Sequence, residues 1–182
     1  GTRLWGLSVG IAMLVVAVIS PILGTLADYS GSKKKFLFFF TTMAVIFTAS
    51  LFFVLPGNVF LGMLFFILAE IGYRAAQVFY NALLPEIADP SEIGKVSGNG
   101  WAIGSFGGIV CLIIVLALIM LVGGNTIVRF SFLITAIFYM AAAIPIFLWL
   151  RERVDPKPMT RGKSALKVAF ERLGTTFKAV KS

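Results

Sequence analysis

An all-α integral membrane bundle is the fold class that this sequence predicts, and three observations predict it. Hydrophobic residues make up 59% of the 182 positions and charged ones 13%, with a mean hydropathy of +0.97, more apolar surface than a soluble domain of this size buries. Five apolar segments of about 20 residues or more follow one another, and at about 1.5 Å per residue each crosses about 30 Å of hydrocarbon. None shows the period-two alternation of a barrel strand.

The first segment, Leu4 to Ala27, is broken only by small polar residues, glycines and Pro21, where a bend is expected. The second, Phe36 to Leu55, carries no charge. The third, Val59 to Leu84, holds Glu70 and Arg74 in its interior. Trp101 to Val122 and Ile127 to Leu150 complete a five-span unit over residues 1–150. Residues 151–182 are predicted to be a basic amphipathic cytoplasmic segment. Beyond Pro156 and Pro158, Leu166, Phe170, Leu173, Phe177 and Val180 recur at helical spacing opposite Lys163, Lys167, Arg172, Lys178 and Lys181, the pattern of a helix lying on a leaflet.

Charge sets the orientation. With the loop of Lys33, Lys34 and Lys35 inside, alternation puts Lys95 and the basic tail on the same side, thirteen Lys/Arg in all, against Arg3 and Arg129 outside. The net charge of +8 therefore faces anionic lipid and implies bilayer contact, not nucleic acid. Histidine is absent and the single cysteine, Cys111, lies in an apolar run, so zinc sites and histidine-dependent catalysis are excluded. No cofactor or metal is expected. Glu86, Asp89 and Glu92 lie between Pro85 and Pro90 or just beyond, without metal-loop spacing, and read as a solvated connector that caps helices.

The segment GTLADYSGSKKK, Gly24 to Lys35, joins the first two spans. Asp28 in the last turn of a helix opposes that helix's dipole and needs a partner, while Gly31 permits the chain reversal. The order Gly24, Asp28, Gly31, Lys33 resembles the loop between helices 2 and 3 of the major facilitator superfamily, with Tyr29 and Ser32 where that family has basic residues. That resemblance implies a role in conformational balance for Gly24, Asp28, Gly31 and Lys33. It also implies that the chain supplies helices 2 to 6, a partial first half, with the first helix and the second half supplied by a missing remainder.

Within the third span, Glu70, Arg74, Gln77 and Asn81 recur at spacings of four, three and four, one face of one helix, flanked by Tyr73 and Tyr80. A charge at the membrane centre costs about 2.5 to 3.5 kcal/mol on insertion scales, so the pair should face a cavity or each other. The stripe is expected to line a solute or proton path, with Glu70 the acid placed to carry the proton; the alternative is a self-neutralising pair that stabilises the bundle. The run Arg74 to Gln77 resembles the fourth-helix motif of proton-coupled facilitators. FYNALLPEI, Phe79 to Ile87, with SGNGWAIGSFGG, Ser97 to Gly108, resembles the autophagy-related vacuolar-effluxer branch of the superfamily. That branch implies export of a small polar solute, amino acids among the candidates, across a cell membrane if the source is bacterial or a vacuolar membrane if it is fungal.

Gly100, Gly104 and Gly108 repeat every four residues, with Gly107 beside the last, and predict a flat face for close helix packing. No nucleophile and base pair stands out in the spans, so an enzyme is not expected. The expected function is secondary transport by alternating access; the alternative is a scaffold or receptor that kept the fold without transport.

Overall fold

The computed structural model describes residues 2–29, 32–89 and 91–150. They form five helices: α1 (Thr2–Tyr29), α2 (Lys33–Ser50) with a 3-10 turn at Leu51–Phe53, α3 (Val59–Ile87), α4 (Ile93–Val122) and α5 (Gly124–Trp149). All five are long and apolar enough to cross a membrane, and the chain is a multi-pass integral membrane protein. Expectations for residues 151–182, for Gly31 and for the Tyr29 side chain lie outside the described residues.

Packing runs in the order α1, α3, α2, α5, α4, with α3 and α4 touching lightly. The core sits toward the lysine-bearing end, where Leu23 and Ala27 of α1 and Leu37 of α2 meet Ala75, Ala76, Phe79 and Leu83 of α3. Phe79 stacks on Phe36 and Phe40, at 5.1 and 5.7 Å between ring centroids. Small residues on α3 make this possible. At Gly72 a Cβ would fall 2.8 Å from the Ala44 backbone nitrogen and 3.0 Å from the Phe40 carbonyl oxygen, so only glycine lets α3 lie this close to α2.

None of the five described helices carries a basic residue in its own last turn. The cations that reach helix C-termini come from neighbours instead. Lys33 Nζ reaches the Ala82 carbonyl near the end of α3, Lys34 Nζ donates to the Leu150 carbonyl after α5 at 2.6 Å, and Arg129 Nε donates to the Phe52 carbonyl after α2 at 2.7 Å. Each places positive charge against a negative dipole end and joins two helices at once. Helices α2 and α5 are thereby tied at both ends.

Most boundaries differ from the sequence expectation by a few residues, and two of the differences matter for the site. Helix α4 begins at Ile93, not Trp101. Its glycine- and serine-rich start reads as loop, since each glycine costs about 1 kcal/mol against alanine, yet no proline interrupts it and its polar side chains can be solvated beyond the hydrocarbon. Helix α3 runs through Pro85 to Ile87, because a proline in the last turn forfeits only one hydrogen bond of a ladder about to end. Glu86 is therefore not part of a solvated connector: it is 6% exposed, on the last turn of α3. Between α4 and α5 the turn is a glycine pair, Gly123 and Gly124, at φ +69° and +84°, a conformation that side chains resist.

Candidate functional site

The charged stripe lies on α3 beside the face that packs on α2. Ala69, Gly72, Ala75, Ala76, Phe79 and Leu83 are buried, and the positions one step around the helix, Glu70, Tyr73, Arg74 and Gln77, are half-buried or exposed. Arg74 Nε donates to Glu70 Oε1 at 2.8 Å, along the orientation an α-helix favours for an acid four residues before a base. Their side chains remain 39% and 20% exposed within the described bundle. Among the described residues the pair is partly exposed along the α3 surface, Arg74 more than Glu70.

A second pair stands alongside. Gln77 Nε2 donates to the Tyr73 hydroxyl at 3.0 Å, and the Arg74 guanidinium lies 5.9 Å from the Tyr73 ring centroid. Tyr139 of α5 meets that ring edge-on at 6.0 Å and engages the Thr41 side chain of α2. The cluster thus gathers an acid, a base, an amide and two phenols from α3 and α5, with the Thr41 hydroxyl of α2 beside them, at the middle of the spans. Tyr80 turns away toward α4, where a Cβ on Gly100 would come within 2.9 Å of its hydroxyl. Asn81 is exposed and makes no hydrogen bond with the others among the described residues.

The second charged arrangement lies at the lysine-bearing end. Lys33 Nζ bonds Glu86 Oε1 at 2.7 Å, joining the first residue of α2 to the last turn of α3. The Glu86 side chain is 2% exposed and that of Lys33 16%. Gly24 and Asp28 lie in the last turns of α1, and Asp28 is half-buried and engaged in a polar or electrostatic contact of its own. Among the glycines of α4, a Cβ on Gly107 would meet the Phe138 ring at 3.9 Å and one on Gly100 the Tyr80 hydroxyl, while Gly104 and Gly108 face open space among the described residues.

Sequence reasoning missed Glu86, Tyr139, Thr41 and Gly72. The burial of Glu86 follows from Lys33, a residue 53 positions away, and no local pattern reveals it. Tyr139 is one aromatic among 14% aromatic residues. Gly72 offered a usable signal, since it continues the small-residue spacing of Ala69, Ala75 and Ala76. Among the described residues no group of three or more acids, cysteines or histidines could hold a metal.

The sequence profile described as "Vacuole effluxer Atg22 like" matches residues 5–94 and 89–182, almost the whole chain. The chain belongs to the vacuole effluxer Atg22-like family. This is a membrane-transporter family, not an enzyme class. An MFS-type transporter of Bacillus subtilis, YxiO, is 33% identical over 99% of this chain and 43% of its own length. An Aquifex aeolicus protein is 34% identical over 61% of this chain and 28% of its own. Autophagy-related protein 22 of Yarrowia lipolytica is 24% identical over 84% of this chain and 36% of its own. The chain therefore spans less than half the length of each of these relatives. No solved structure matches it.

Proposed function

We propose that this chain forms part of a secondary transporter that moves a small polar solute across the membrane by alternating access, with the α3 stripe lining the path. The observation that carries this reading is the Glu70–Arg74 pair, half-exposed at mid-span beside Tyr73, Gln77 and Tyr139. Ionisable side chains within a span face the bundle interior or a water-filled cavity, and this pair keeps partial exposure on α3 among the described residues. Its chemistry supports amino acids as the solute class: the guanidinium is complementary to a carboxylate and the carboxylate to an ammonium group. Family membership supports the same class of activity.

Proton coupling would run through Glu70. Arg74 bonds that carboxylate in this structure, and a solute carboxylate would compete for the same guanidinium. Lys33 and Glu86 would act on the balance of states, since their bond ties α2 to α3 at the end of the spans and not at the solute path. The test is amino-acid uptake by the full-length protein in proteoliposomes, with and without a pH gradient. Gradient-driven accumulation that disappears in Glu70→Gln supports the reading; equal accumulation by wild type and variant overturns it.

A further inference from the structure

At the end of the bundle opposite the lysines, the turn between α2 and α3 and the first turns of α5 line a cleft of about 440 Å³. Its polar wall consists of Asn58, Asn125 and Arg129. Two contacts fix the guanidinium of Arg129: Nε donates to the Phe52 carbonyl, and the Phe52 ring lies 4.9 Å from the guanidinium carbon. The two terminal nitrogens make no hydrogen bond among the described residues. They form the edge best shaped for two parallel bonds to an oxyanion.

Among the described residues no acid at this end neutralises that charge. None of the eight acids lies in residues 51–62 or 119–130, which build this end. Glu70, the nearest along α3, stands about 16 Å from its start and is already bonded to Arg74. Neither α3 nor α5 has an acid in its first turn or a side chain capping its N-terminus, so the backbone there adds positive potential. The surroundings are apolar: Phe53 is 69% exposed and Phe60 81%. A free inorganic anion would gain nothing from those rings, whereas a lipid would lay its acyl chains against them.

We propose that the Arg129 cleft binds the phosphate-bearing headgroup of a membrane lipid, with Asn58 and Asn125 completing the polar contacts. This assignment is independent of the α3 path. The experiment is native mass spectrometry of the full-length protein, after incubation in vesicles of equal parts phosphatidylglycerol and a phosphate-free glycosyl diacylglycerol. Wild type should retain phosphatidylglycerol over the glycolipid, and Arg129→Gln should lower that preference about tenfold, the scale of a charge-assisted hydrogen bond. Asn125→Leu leaves the bond to Phe52 in place and should lower it about threefold, which keeps the test open if Arg129→Gln fails to fold. An unchanged preference in both variants overturns the proposal. So does displacement of the lipid by millimolar inorganic phosphate, which would make the ligand a free anion.

Discussion

Lys33 and Glu86 are bonded at 2.7 Å across the α2–α3 junction, with the carboxylate 2% exposed. A buried acid at a helix C-terminus sits against an unfavourable dipole, and the ammonium group offsets both charges at once by also reaching the Ala82 carbonyl. Removing one member of such a pair costs about 3 to 5 kcal/mol, and Lys33 keeps enough solvent contact to favour the lower figure. Glu86→Ala should therefore destabilise the protein by about 3 kcal/mol, measured by thermal or denaturant unfolding in detergent. The exchange of both residues, Lys33→Glu with Glu86→Lys, should recover part of that loss. A double variant no more stable than the worse single one would show that the two do not act as a pair.

Gly72→Ala should be destabilising although alanine is the better helix former. The added methyl would sit 2.8 Å from the Ala44 nitrogen, which is backbone and cannot swing aside, so α2 and α3 must separate. Overpacking of this kind costs about 1 to 3 kcal/mol. A melting temperature equal to or above wild type would refute the close approach.

Gly104→Ala and Gly108→Ala should behave in the opposite way in residues 1–182. Both positions are open among the described residues, and alanine gains about 1 kcal/mol over glycine in a helix interior. The same substitutions in the full-length protein report on whether another segment covers this face. A gain in the shorter chain with a loss in the longer one would identify α4 as an interface.

Tyr139→Phe should preserve the ring contact with Tyr73 while removing the hydroxyl that engages Thr41. Under the transport reading, solute KM should change by less than about twofold if only the aromatic wall matters. A rise of about fivefold, reproduced by Thr41→Val, would assign the hydroxyl a positioning role, on the scale of one neutral hydrogen bond. If Tyr139→Leu also matches wild type, Tyr139 is not part of the path.

Asp28→Asn should shift the proportion of inward- and outward-open states without altering solute affinity in either. Distances between spin labels on the two ends of the full-length protein measure that proportion. An unchanged distribution would separate Asp28 from the conformational balance.

The spans were legible because hydrophobic runs report directly on the solvent that surrounds them. Four of the five helices extend a few residues past the apolar limits, since backbone hydrogen bonding continues where the solvent changes. The start of α4 was hidden for the same reason, behind Gly94, Ser97 and Gly98. On α3 the spacing of Glu70 and Arg74 foretold their bond, because residues four apart meet on any helix. Glu86, Thr41 and Tyr139 could not be found this way. Their partners are remote in sequence, and only the packing order of α2, α3 and α5 brings them together.

The two ties between α2 and α5 also bear on how the chain is made. They join residues 77 and 116 positions apart, so the first cannot form until the fifth helix has begun and the second until it is complete. Until then the Phe52 carbonyl at the end of α2 must be satisfied by water or headgroups, and α2 has no lateral neighbour on that flank. Nascent chains halted before Gly124 should therefore hold α2 loosely, open to cysteine labelling along its α5-facing side, and lose that reactivity once the last helix leaves the ribosome. The core of α1, α2 and α3 can form earlier, whereas the α2–α5 seam closes only when α5 is present.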